Sequence, residues 1–304
     1  MFIYNPPVPY SGTDGYGPVK MTAVNEALKA GHNGEGVIVA IVDTGIDRHH
    51  EDLNENLWKN TDEIPGNGID DDRNGFVDDV HGWNFSEGTN ETDDDQGHGT
   101  HVAGIVAAEV SPDDPVTGVA CKSKIMAVQV LSDQGWGRIN DVVKGILYAA
   151  KNGAKVINLS LSGGYNRDIY DAIRVAQDQY GCLVVMAAGN SSAPKPDFPA
   201  RFSWGCGIAV GATDQNGRFA SYSNKAGGTL GPWKKLGVTS PTHLYYVTAC
   251  GTQLSTGYTG RYTWMTGTSM ATPYVAGLAA IIWSHHPEYT HQQVKELLCF
   301  GKLL

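Results

Sequence analysis

The run Val37-Ile38-Val39-Ala40-Ile41-Val42 constrains the fold more than any other stretch of this chain. An unbroken, mostly β-branched apolar run describes a strand buried on both faces, as strands are inside a parallel sheet. Strands are expected again over 124–131, 156–161, 183–188 and 208–212, with helices over 139–152 and 168–180 between them. Ile139, Val142, Val143, Ile146 and Leu147 share one face of the first of these helices. Further helices are expected over 21–29, from 98 to about 109, and over 271–283. Alternating strand and helix with apolar strands requires an α/β, three-layer architecture: a mostly parallel central sheet, helices on both faces and right-handed crossovers. No repeat, low-complexity tract or linker divides the 304 residues, so one domain over 1–304 is expected, with 1–18 as an extended, proline-rich arm.

In open α/β sheets, chemistry collects at the carboxyl ends of the strands. The first strand ends in Asp43-Thr44-Gly45. The same tripeptide marks aspartic proteases, but those need a second copy to share a proton, and this chain has none. Gln96-Gly97-His98-Gly99-Thr100-His101 opens a helix. His98, flanked by glycines, suits a general base that a substrate can approach; His98 and His101 lack the intervening glutamate of a zinc protease. Ala187-Ala188-Gly189-Asn190 ends another strand with an amide, either an oxyanion donor or a turn residue. Ser160-Leu161-Ser162-Gly163-Gly164 supplies small residues at a strand end where a substrate strand could add. Thr266-Gly267-Thr268-Ser269-Met270-Ala271-Thr272-Pro273 sets Ser269 at a helix N-terminus, where free N–H groups favour negative charge. On that stretch alone an N-cap serine, with Pro273 in the first turn, fits equally well.

The net charge of -10 and the lack of a basic cluster argue against a nucleic-acid partner, and much of the acidity lies between residues 62 and 95. There Asp70, Asp72 and Asn74 alternate, Gly75 follows, Phe76 can offer its carbonyl, and Asp78 and Asp79 come next. This matches the first half of a calcium loop. His81 stands where an EF-hand places its closing glutamate, and Pro65, Gly66 and Gly68 oppose a preceding helix, so a calcium loop outside the EF-hand class is expected. The alternative is a solvated acidic loop. Five cysteines (Cys121, Cys182, Cys206, Cys250 and Cys299) show no CxxC spacing; Cys182 and Cys206 either pair across neighbouring strands or stay as buried thiols. No apolar run is long enough for a membrane span, and residues 1–7 do not form a signal peptide.

Together, Val-Ala-Ile-Val-Asp-Thr-Gly-Ile-Asp, Gly-His-Gly-Thr-His-Val-Ala-Gly, Ala-Ala-Gly-Asn and Gly-Thr-Ser-Met-Ala-Thr-Pro resemble, in order, the motifs of subtilisin-family serine proteases. The resemblance covers residues 16–286. It implies a serine endopeptidase in which Ser269 is the nucleophile, His98 the base, Asp43 the group orienting the imidazole, and Asn190 with the Ser269 N–H the oxyanion hole. It also implies that Ser160, Leu161, Ser162 and Gly163 wall the pocket for the residue before the scissile bond. Asp197, just before Phe198-Pro199, falls at that pocket's base and would favour Lys or Arg there. Asp52 matches a calcium-binding aspartate of the family, although its partner loop 109–116, with Asp113 and Asp114, lacks the usual asparagines. His101 becomes a packing residue, and Tyr274 replaces the family's usual histidine. By the same resemblance the expected cofactor is calcium and the expected substrates are polypeptides. A prodomain or protein inhibitor is a further partner to expect, though no prodomain stands in this chain. The protein is expected to be monomeric and secreted or extracytoplasmic. The segment 230–255 is longer and more irregular than the family pattern suggests. The competing reading is an inactive homologue that serves as a binding module.

Overall fold

The computed structural model describes residues 17–111, 115–227 and 244–303. Seven strands form one sheet: β1 (Ile38–Asp43), β2 (Gly82–Asn84), β3 (Lys124–Gln129), β4 (Val156–Leu159), β5 (Leu183–Ala187), β6 (Ile208–Thr213) and β7 (Tyr246–Cys250), in the spatial order β2-β3-β1-β4-β5-β6-β7. Every pairing within it is parallel. The expected α/β fold is therefore present. β1 lies third from one edge, covered on both faces, which is why its sequence has no polar alternation.

Successive side chains of each strand serve different layers. Val39, Ile41, Ile125, Ala127, Val185 and Val210 pack on one face, under α1 (Thr22–Lys29), α2 (His98–Ala107), α5 (Thr268–His285) and α6 (His291–Phe300). Ala40, Val42, Met126, Val128, Val184 and Ala209 pack on the other, under α3 (Ile139–Lys151) and α4 (Arg167–Asp178). α5 is buried along nearly its whole length, as its all-round apolar sequence requires. An antiparallel hairpin, β8 (Thr252–Gly257) and β9 (Arg261–Thr266), leads into it and packs over α2.

Two expectations change, and the open choice for Cys182 and Cys206 is decided in favour of free thiols. The strand series does not close with β6, because β7 pairs beyond it; the segment read as irregular contains β7 and most of β8. Residues 228–243 of that segment, residues 1–16 of the expected arm, and residues 112–114 with Asp113 and Asp114 lie outside the described residues. Cys182 and Cys206 do flank neighbouring strands, but all five thiols are free. Cys182 and Cys206 are buried, and burial pushes both thiols up to about 12. Finally, α5 starts at Thr268 with Gly267 as its cap, so Ser269 sits inside the first turn and Pro273 in the second.

Candidate active site

β1 delivers Asp43 at its carboxyl end, fully buried. Oδ1 accepts hydrogen bonds from the Thr44 N–H (2.8 Å) and from His98 Nδ1 (2.7 Å); Oδ2 is buried without a partner among the described residues. His98 opens α2. Its preceding residue, Gly97, caps the helix at φ 97°, a left-handed conformation that L side chains resist. At Gly99 a Cβ would lie 2.1 Å from the Gly45 carbonyl oxygen, so the missing side chain lets α2 close on the strand end. The two glycines thus fix the helix position and do not merely open a path for substrate. Burial pulls the His98 imidazole down, but the Asp43 charge, the hydrogen bond to it and the more distant Asp94 outweigh this and hold it above its ordinary value of 6.5.

Asp94 carried no sequence signal and proves central to this turn. Its buried carboxylate accepts from the N–H groups of Gln96, Gly97 and Thr100 and from the Thr100 hydroxyl, satisfying donors at a helix start whose cap residue has no side chain.

Sheet register brings the remaining groups alongside. Ile41 of β1 pairs with Asn158 of β4, so Asp43 and Ser160 stand at matching heights on adjacent strands. Ser160 meets Ser269 twice: its Oγ donates to the Ser269 carbonyl (2.8 Å), and the Ser269 Oγ donates to the Ser160 carbonyl (3.1 Å). The Asp43–His98 pair and the Ser160–Ser269 pair therefore occupy neighbouring strand ends, and α2 and α5, which start there, pack side by side. In this state the Ser269 hydroxyl points to Ser160 and makes no hydrogen bond to His98. Asn190, past the end of β5, accepts at Oδ1 from the Thr268 N–H (2.9 Å) and the Thr268 hydroxyl (3.0 Å). That fixes the amide with Nδ2 on the side of Gly267, where a Cβ would lie 3.4 Å from it. Thr268 was not singled out by its sequence context; its hydroxyl also accepts from the Gly189 N–H (3.1 Å), joining the two segments.

Comparisons with known proteins give the family. The family model described as "Subtilase family" matches residues 34–299. The chain belongs to the subtilase family. Thermitase of Thermoactinomyces vulgaris is 37% identical over 282 residues, spanning 92% of this chain and 86% of thermitase. Subtilisin BL of Lederbergia lenta is 37% identical over 274 residues, spanning 90% of this chain and 85% of its own. A crystal structure of a cold-adapted subtilisin-like serine proteinase superposes with TM-score 0.68 at 30% identity, covering 88% of this chain and 82% of the other. Membership puts the chain among serine-type endopeptidases.

In this subtilase the expected pocket segments are also neighbours. The Gly163 N–H donates to the Phe198 carbonyl (2.8 Å), and the Asp197 N–H to the Ala188 carbonyl (2.9 Å), so 160–163, 188–190 and 197–198 meet. Leu161 is half-buried, Ser162 and Gly163 are exposed, and the Ser160 side chain is buried against Ser269 and not turned to the pocket wall. The Asp197 carboxylate lies against the Gly189 backbone and makes no ion pair among the described residues.

The acidic loop departs from its expected ligand set. Among the described residues, the group whose oxygens all lie within 4.8 Å of one another is Glu63, Asp72 and Asp79. Asp70 instead accepts from the N–H groups of Asn74 and Gly75, and Asp78 from those of Asn67 and Gly68, so both shape turns at the rim. The Phe76 ring packs on Trp83 and Tyr148. Asn74 stays with the group, its amide donating to Asp72 (2.9 Å) and Asp79 (3.0 Å), as does that of Asn60 (2.9 and 2.7 Å). Burial raises the Asp79 carboxyl against the hydrogen bonds of Tyr148, Asn60 and Asn74. Sequence does not mark Glu63 as a member of this group, because it precedes the alternating pattern by seven positions and belongs to no loop motif. Asp52 is buried outside the group and accepts from the Tyr262 hydroxyl (2.8 Å).

Proposed function

We infer that this subtilase hydrolyses peptide bonds through Asp43, His98 and Ser269, by way of an acyl-enzyme on Ser269. The observation that carries the reading is the 2.7 Å Asp43–His98 bond beside the doubly bonded Ser160–Ser269 pair on the next strand. Asp43 holds Nδ1 as the protonated nitrogen, which leaves Nε2 as the base. When a substrate carbonyl enters, the Ser269 hydroxyl turns from Ser160 towards Nε2, gives up its proton there and attacks. Charge developing on the carbonyl oxygen falls between Asn190 Nδ2 and the Ser269 N–H at the start of α5, where the helix dipole adds to both. His98 then returns the proton to the leaving amine, and water repeats the sequence on the acyl-enzyme.

The segment 160–163 pairs with the substrate backbone. Asp197, carrying no internal cation, gives the adjoining pocket a preference for Lys or Arg before the scissile bond. Glu63, Asp72 and Asp79 hold calcium, with Asn60 and Asn74 beside them. An all-oxygen set of closely grouped carboxylates fits a hard cation, and their mutual repulsion makes them costly without one. Bound there, the ion supplies structural charge neutralisation away from the reacting atoms. Such a site suits an extracytoplasmic protein, where calcium is plentiful. The chain acts as a single catalytic domain on polypeptide substrates.

Peptide hydrolysis by the intact protein and by Ser269→Ala tests the reading. Turnover in the first and its loss in the second, with unchanged circular dichroism, is the expected result. Equal turnover in both would refute it, and no turnover in either would favour an inactive binding module.

A further inference from the structure

Ser269 is the second residue of α5, and in a regular helix its carbonyl would accept from the N–H four residues on. That residue is Pro273, which has no N–H and whose ring crowds the same carbonyl. The residue that must present its hydroxyl with the tightest tolerance is thus the one whose backbone the helix leaves unpaired. The missing donor comes from the sheet. Ser160 Oγ donates to the Ser269 carbonyl at 2.8 Å, and the same oxygen accepts from Asn158 Nδ2 at 2.9 Å. A hydroxyl carries one proton. With Asn158 directed at its lone pair, the Ser160 proton is committed to Ser269. Asn158 and Ser160 are both buried, on the strand directly beside the one that carries Asp43. No solvent donor substitutes for them easily.

We propose that Asn158 and Ser160 are positioning residues: a hydrogen-bond relay from β4 that replaces the helix bond Pro273 cannot make and so sets the height of the Ser269 backbone against His98. This rests on Ser269 being the nucleophile. It assigns Ser160 a role different from that of a pocket wall, and the two roles separate in kinetics. A wall residue changes KM; a group that only positions the nucleophile changes kcat.

The test is a cycle of Ser160→Ala, Pro273→Ala and the double variant, each compared with the parent for kcat, KM and the rate of fluorophosphonate labelling. Loss of one buried neutral hydrogen bond predicts that Ser160→Ala lowers kcat and labelling about tenfold while KM stays within about twofold. In the Pro273→Ala background the alanine N–H can supply the helix bond, so adding Ser160→Ala there should cost less than about threefold. A Ser160→Ala variant with full kcat and raised KM overturns the relay, as does an equal loss in both backgrounds. If Ser160→Ala fails to fold, the double variant alone decides, because the relay predicts that it recovers both fold and labelling. Turnover retained by Ser269→Ala would remove the nucleophile reading itself. An inert Ser269→Ala beside an unaffected Ser160→Ala would remove only the relay.

Discussion

His98 and His101 lie on the same turn of one helix and are driven in opposite directions. For His98 burial favours the neutral ring, but the Asp43 charge, the hydrogen bond to it and the Asp94 charge together outweigh burial, so the imidazolium is favoured and the folded-state value stands above 6.5. Catalysis needs the neutral ring. The acid limb of kcat/KM should therefore have its midpoint above 6.5 and move below it in Asp43→Asn, where only the weaker Asp94 charge still opposes burial; a midpoint unchanged by that substitution would contradict the pairing. The stability linked to His98 has the matching sign: present in full below the unfolded-state value and lost as pH rises through the folded one. Asn190 is the second residue-scale test. Its Oδ1 is held by Thr268, which leaves Nδ2 as the free donor. Asn190→Ala should lower kcat about 100- to 1000-fold with little change in KM, the size known for the equivalent loss in subtilisins themselves. A loss expressed in KM alone would place Asn190 outside the oxyanion site. The catalytic residue types were legible in sequence because each sits in its own local signature. Their supports were not: Thr268 is tied to Gly189 and Asn190, 79 and 78 positions away, Asn158 holds a Ser160 that reaches 109 positions to Ser269, and Asp94 is a local helix cap with no motif of its own.

Among elements, the β8–β9 hairpin and α2 are joined by His101. Its Nε2 meets the Thr263 carbonyl at 3.1 Å, while the hydroxyls of Ser255 and Thr256 donate to the carbonyls of His101 and Thr100. Burial pulls the His101 imidazole down to about 4 despite the Thr263 carbonyl. An unfolded His101 protonates near 6.5, so its neutral burial contributes full stability above that pH and loses it progressively as pH falls towards 4. A difference of that size is worth about 3 kcal/mol. Melting curves taken in an inert Ser269→Ala background should show this decline over that window, and His101→Gln should flatten it; identical slopes would contradict a neutral, buried His101. The acidic loop is the other element with its own test. Chelation should lower the melting temperature and speed autolysis, since a ligand at a hundred times its Kd stabilises by about 2.7 kcal/mol. Glu63→Gln should abolish the response and Asp70→Asn should keep most of it, whereas the reverse ranking would restore the alternating motif as the ligand set. That motif was legible as an acidic, cation-attracting loop, but which carboxylates converge depended on Asp70 and Asp78 being taken up by backbone N–H groups.

At the scale of the molecule, the parallel sheet explains why groups so far apart in the chain meet. Each strand-to-helix turn opens on the same edge, and the order β1-β4-β5 sets Asp43, Ser160 and the Asn190 turn on three consecutive strand ends, with α2 and α5 laid across one face. The apolar runs were sufficient to read this architecture, because a strand with no polar alternation has to be covered on both faces, which a parallel sheet between two helix layers provides. β7 was missed since Tyr246–Cys250 is a short run interrupted by Thr248, and its burial depends on packing against α5 and beside β6. The claim on which everything else rests is that these strand ends converge on one activated serine. It is tested most directly by treating the intact protein with a fluorophosphonate and locating the adduct by peptide mass spectrometry. The account predicts a single stoichiometric adduct on Ser269, lost in His98→Ala; an adduct on another residue, or labelling of Ser269 that is indifferent to His98, would contradict it.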